Sequence, residues 1–248
     1  MAESADADGY FKLMRRLQAR CYKNTWKHPL GDKAPILVQG LDTLLSGLDR
    51  MASCFGGCRG GDHCAEYLTG RAVSSCTSAM LLMENGYYDE ALSIIRSLGE
   101  LANLMSVFAA DKNEFRRWKS INERQRRSAF APVKIRLWLE KHDGIMVVDE
   151  ERYRFLSSYS IHASPNNIPQ AHNAQAAGSI APTFEVAGFL LCLNELARAM
   201  AFIGVFAPRL CAVPPAIEQA LQEVNRLIVE HIGGVNADVK GRPWLKLH

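Results

Sequence analysis

The sequence predicts an all-α fold. Apolar residues recur at three- and four-residue intervals through most of the chain, no stretch sustains the period-two alternation of a half-buried strand, and hairpin turn signals are almost absent. With 248 residues, 48% apolar and 22% charged, the chain can bury one large core. No stretch reads as an interdomain linker. A single multi-helix bundle of about seven or eight helices over residues 1–248 is expected.

The periodicity predicts helices over Gly9–Lys27, Ile36–Ser53, Cys64–Glu84, Tyr87–Ala110, Asn113–Lys141, Glu150–Ile161, Phe184–Phe206 and Pro215–Ile232. Asn85-Gly86 reads as a tight joint between two long antiparallel helices, because glycine reaches left-handed backbone angles cheaply. Gly233-Gly234 suits the end of the last helix. Asp111 and Asp149 can cap the helices that follow them, Thr183 can cap the next with Glu185 in its first turn, and Pro214-Pro215 suits a helix start. The apolar run Ile145–Val148 is too isolated to pair as a strand and reads as a buried connector. Irregular stretches are expected at Phe55–His63, with four glycines, at 163–182, and in the tail 233–248.

The segment Phe184–Ala207 is the most apolar late stretch, but Glu185, Glu195 and Arg198 leave no charge-free run of bilayer length, so it is expected to be a core helix with no membrane role. Its small residues Gly188, Ala197, Ala201 and Gly204 offer a surface for close packing, either against a second copy, as in the homodimer expected here, or against the chain's own helices.

The net charge of +3 is modest, yet its distribution is uneven. Between Lys12 and Lys33 seven cations face only Asp32, and between Arg116 and Arg136 eight face only Glu123. Within the second stretch Arg116, Arg117, Lys119, Arg124, Arg126 and Arg127, with Trp118 interleaved, form either a solvated helix or a phosphate-binding surface. Seven cysteines, an odd number, and an acidic amino terminus without an apolar core suggest a reducing cytoplasm. Cys54, Cys58, His63 and Cys64 crowd into eleven residues with gaps too short for a compact zinc clamp, so no metal is expected. The glycines at 56, 57, 60 and 61 are not followed by the Lys-Ser/Thr pair of a phosphate loop, and no cofactor is implied.

The strongest chemical feature lies in Gly86-Tyr-Tyr-Asp-Glu-Ala-Leu through Arg96-Ser-Leu-Gly-Glu100. Arg96 and Glu100 are one helical turn apart amid the apolar period of Leu92, Ile95, Leu98, Leu101 and Leu104. A partly buried pair of this kind is either a structural bridge or part of a pocket. His162 follows a helix carboxyl end, where the macrodipole favours imidazolium; there it is either a cap of the helix or, where the loop leaves the ring accessible, a catalytic group.

These two stretches, Gly86–Glu100 and Tyr153-Arg-Phe-Leu-Ser through His162-Ala-Ser-Pro165, together resemble a bacterial helical family of unassigned function. That family is similar in outline to abortive-infection helical proteins and, more remotely, to the HEPN (higher eukaryotes and prokaryotes nucleotide-binding) superfamily. The resemblance covers roughly 65–165. It implies a helical bundle, frequent dimers, and RNA binding or cleavage in toxin or phage-defence systems. A ribonuclease of this kind would use His162 to move protons, Arg96 to stabilise phosphorane charge and Glu100 to hold Arg96. The superfamily's Arg-to-His spacing recurs at Arg136–His142 and Arg226–His231, at the frequency chance provides. The rival expectation is a non-catalytic module that binds a protein partner, with a structural Arg96–Glu100 bridge.

Overall fold

The computed structural model describes residues 9–53, 61–160, 178, 180–211 and 213–232. Among them ten α-helices follow one another: α1 (Tyr10–Lys27), α2 (Lys33–Ala52), α3 (Cys64–Glu84), α4 (Tyr88–Ala110), α5 (Lys112–Ser120), α6 (Glu123–Ala129), α7 (Pro132–Lys141), α8 (Glu150–Ser160), α9 (Val186–Leu210) and α10 (Pro215–Ile232). α4 and α9 pack most extensively on each other. α3 flanks both, α2 and α10 cover α9, α7 and α8 pack along α4, and α1 touches mainly α3.

Burial of apolar side chains on these shared faces drives the assembly, at roughly 1.5–3 kcal/mol for each large one. α4 contributes Leu92, Ile95, Leu98 and Met105, and α9 contributes Phe189, Leu193, Leu196, Met200 and Phe206, each at most 1% exposed. Both helices are long and apolar enough to cross a membrane by length and composition, but 61% and 72% of their most apolar windows are buried inside the protein. α9 is thus a core helix. Its small residues are spent within the chain: a Cβ on Gly188 would lie 2.5 Å from the Tyr88 ring, and one on Gly204 would lie 2.5 Å from Asn225. Ala197 and Ala201 are buried. The surface expected to receive a second copy is covered by the chain's own helices.

The Gly86 joint is present, with φ of +82°. Its Cβ would also strike the backbone of Thr183 at 2.3 Å, so the position needs glycine twice over. Asp111 accepts from the Asn113 N–H at 2.8 Å and Asp149 from the Arg152 N–H at 2.7 Å, so both cap as expected. Thr183 does not cap α9. That helix starts after Glu185, whose side chain makes no cap bond, while the Thr183 N–H donates to the Gly86 carbonyl.

The single helix expected over Asn113–Lys141 is three. Asn122 and Gln125 form a capping box that restarts the chain at α6, and Pro132 occupies the first position of α7 after extended Ala131. The capping box and the proline each favour a new start over continuation. α9 runs four residues beyond the expected Phe206, carrying Pro208 in its last turn. The run Ile145–Val148 is a connector, as expected, and α4 holds it: the Asn103 Oδ1 accepts from the N–H groups of Val147 and Val148, its Nδ2 donates to the Val148 carbonyl, and the Ser106 hydroxyl donates to the Ile145 carbonyl. The Gly233-Gly234 stop and the irregular stretches 163–177 and 233–248 lie outside the described residues.

Candidate functional site

Arg96 and Glu100 project from one face of α4 toward α7 and α8. Their side chains are 16% and 24% exposed and meet at 3.3 Å. The contact is not a fully satisfied bridge, since Arg96 Nε and Glu100 Oε1 are buried without a hydrogen-bond partner among the described residues. Arg96 Nη1 lies 3.5 Å from the hydroxyl of buried Ser157 on α8. Its guanidinium stands 4.8 Å from the centre of the Tyr153 ring, and that of Arg136 on α7 stands 4.6 Å from the same centre. Cation–π attraction therefore gathers two arginines on one tyrosine.

Burial pushes the Glu100 carboxyl above its ordinary range, and the charges of Arg96 and Arg136 draw it back only in part. The outcome is a cluster of two guanidinium groups, one hydroxyl and a carboxyl that holds a proton more tightly than usual. Such a set can bind an anion and exchange a proton with it. Gly99 makes the neighbourhood close-packed: a Cβ there would sit 2.2 Å from Val148 Cγ2.

The aromatic start of the same stretch is structural. Tyr87 accepts from Gln18 of α1, and buried Tyr88 accepts from the Glu185 N–H at 2.9 Å. Next to the Arg96 site, Arg152 of α8 donates to both carboxylate oxygens of Glu195 on α9 at 2.6 Å. Burial and the nearby Arg152 lower the pKa of Arg198 on α9, while Glu195 and Asp149 oppose that shift.

The expected basic surface is divided by the breaks between α5, α6 and α7. Arg126 turns inward, donating to the Trp118 and Ile121 carbonyls and stacking over Trp118. Lys119 bonds Asp62, Arg116 bonds Asn113, and Arg127 bonds Glu123. Arg117, which also pairs with Glu114, and Arg124 line an open groove of about 600 Å³ together with Lys134, Gln125 and Ser128. Among the described residues no acidic side chain lines it.

His162, Cys54 and Cys58 lie outside the described residues, so Arg96 and Glu100 are the members of the expected catalytic set that the structure places. His63 precedes α3 with φ of +54°, and Cys64 opens that helix. Among the described residues no group of three His, Cys, Asp or Glu side chains could hold a metal ion. His142 stacks on Trp138, and His231 contacts the Leu227 carbonyl, so each ring is engaged on its own helix. The site residues that sequence reasoning did not select are Arg136, Tyr153 and Ser157 around Arg96, and Lys134 in the groove. The basic bias of 116–136 and the run starting at Tyr153 contained them, but nothing local showed that α7 and α8 converge on α4.

Residues 63–143, about a third of the chain, match a family of unknown function (DUF5677). No curated protein and no solved structure matches the chain. The matched stretch contains Arg96, Glu100, Arg136 and the whole groove, and ends before α8.

Proposed function

We propose that this is a HEPN-like cytoplasmic protein of a bacterial defence or stress system that binds or cleaves RNA, with His162 as the proton carrier in a metal-independent ribonuclease version. The observation that carries the RNA reading is the groove between α5, α6 and α7, where Arg117, Arg124 and Lys134 converge with Gln125 and Ser128 and, among the described residues, no acid. Such a lining fits a chain of phosphates, which cations hold by charge and amides and hydroxyls by hydrogen bonds. The cleavage reading is supported by the Arg96, Arg136 and Glu100 cluster, where guanidinium groups could steady charge developing on a phosphorane. The HEPN-like fold and a homodimer are proposed on the all-helical architecture and the resemblance over 65–165.

The test is titration of a labelled RNA at several salt concentrations. Arg117→Ala/Arg124→Ala/Lys134→Ala is expected to weaken binding about 10- to 100-fold at low salt and to flatten the salt slope by about 2. His162→Ala is expected to abolish cleavage and leave binding intact. Wild-type protein that binds no RNA at low salt would overturn the reading. The second reading, a non-catalytic module with a protein partner, is favoured by the way Arg96 joins α4 to Tyr153 and Ser157 of α8, which is also what a structural clasp would do.

A further inference from the structure

α1 carries two parallel rows that the groove and the Arg96 site leave unexplained. At about 100° per residue, positions 11, 15, 22 and 26 fall in one narrow strip of the helix. They hold Phe11, Arg15, Tyr22 and Trp26, and each following position, on the adjacent strip, holds a cation: Lys12, Arg16, Lys23 and Lys27. All eight side chains are exposed, with Phe11 at 79%, Tyr22 at 50% and Trp26 at 43%. The helix has six cations and no acid. Its opposite side, centred on buried Cys21 and Thr25, is the one turned to the protein. Tyr10 stands edge-on to Phe11 at 5.9 Å at the start of the helix, and Trp26 rests edge-on against Phe189 at its end.

A solvated helix face mixes both signs of charge and exposes few aromatic rings. This one does neither. We propose that the double row is a second RNA contact, on which unpaired bases stack against Phe11, Tyr22 and Trp26 while the phosphates follow Lys12, Arg16, Lys23 and Lys27; the inference rests on the RNA-binding reading and names single-stranded RNA as the class bound. The rows span ~22 Å from Phe11 to Trp26 at 1.5 Å per residue, enough for several nucleotides. The bases of a duplex are stacked on one another and an A-form major groove is too deep and narrow for these rings, so a paired RNA could use the cations alone. A membrane surface fits less well. An interfacial helix sinks a broad apolar face, whereas here Met14, Leu17 and Cys21 are turned inward and the outward rings form a strip one residue wide bordered by charge.

The experiment compares an unstructured RNA of about 20 nucleotides with a hairpin of the same length, by fluorescence anisotropy at about 50 mM salt. Wild-type protein is expected to prefer the single strand. Phe11→Ala/Tyr22→Ala/Trp26→Ala should lower single-strand affinity about 30-fold and leave hairpin affinity within about 3-fold, because only unpaired bases lose stacking. Phe11→Ala/Tyr22→Ala keeps the Trp26–Phe189 contact, serves if the triple variant does not fold, and should lose about 10-fold. If either folded variant binds the single strand as wild type does, or loses both RNAs equally, the stacking row is overturned while groove-dependent RNA binding stands. If wild type binds neither RNA, both readings fall. If the aromatic variants keep RNA binding and instead lose binding to phosphatidylserine vesicles, the row is a membrane contact and the proposal is overturned.

Discussion

Arg96 has partners on two helices. As a partner of Glu100 it offsets the cost of burying a carboxylate, and as a neighbour of Tyr153 and Ser157 it fastens α8. Arg96→Ala should therefore destabilise the protein by about 1–3 kcal/mol, read from urea unfolding midpoints, whether or not the site is catalytic. Glu100 supplies a pH signature. Its carboxyl is raised above 4.5 by burial, so the folded state holds the proton more tightly than the unfolded state. The contribution is present in full below the unfolded value and is lost as pH rises through the folded one. Glu100→Gln removes the ionisation, so its melting temperature relative to wild type should climb between the two values and then stay level; a difference that is flat across that window would contradict the shift.

Among the elements, the connector 145–148 is held by two side chains of α4, Ser106 at Ile145 and Asn103 at Val147 and Val148. Asn103 imitates a neighbouring strand, taking two backbone N–H groups and one carbonyl that would otherwise be buried unpaired. Asn103→Leu should cost about 2–4 kcal/mol, and hydrogen exchange at Val147 and Val148 should speed up first. Gly99→Ala acts on the same seam by pushing a methyl group into Val148, and should cost about 1–3 kcal/mol. Between α8 and α9 the tie is the Arg152–Glu195 pair, with Glu195 only 4% exposed. Arg152→Ala should destabilise by about 2–4 kcal/mol, somewhat less than for an isolated buried carboxylate because Arg198 still attracts it. Arg152→Met combined with Glu195→Leu should recover part of that loss, because neither of these two charges is then left unpaired while Arg198 keeps the attraction of Asp149 alone.

At the scale of the molecule, cations of the described residues gather at one groove and along one helix. The net charge of +3 conceals this, since Lys119, Arg126, Arg127 and Arg152 answer acids or carbonyls of their own chain. RNA affinity, if carried by the groove, should fall steeply with salt even though the net charge is small, because local phosphate contacts set the slope. Self-association would have to use a surface other than the small-residue side of α9, which is already filled by Tyr88, Leu44 and Asn225. Substituting Ala201 with Leu should accordingly unfold or strain the chain and not simply dissociate a dimer, as thermal melting at two protein concentrations would reveal.

Helix identity was legible residue by residue, because apolar spacing, Asp111, Asp149, Gly86 and Pro215 act through local geometry that does not depend on distant partners. The breaks at Asn122 and Pro132 also act through local geometry, a capping box and a proline at a first helical position, which the periodicity of 113–141 does not register. The Arg96–Glu100 pairing was also readable, being a matter of one helical turn. That Arg136, Tyr153 and Ser157 join it, that Arg126 faces inward while Arg117, Arg124 and Lys134 share a groove, and that Gly99 and Gly204 seat Val148 and Asn225 are facts of packing. Spacing along a chain fixes which residues share a face of one helix; which other helix meets that face depends on how all ten share the interior, and only the tertiary structure decides it.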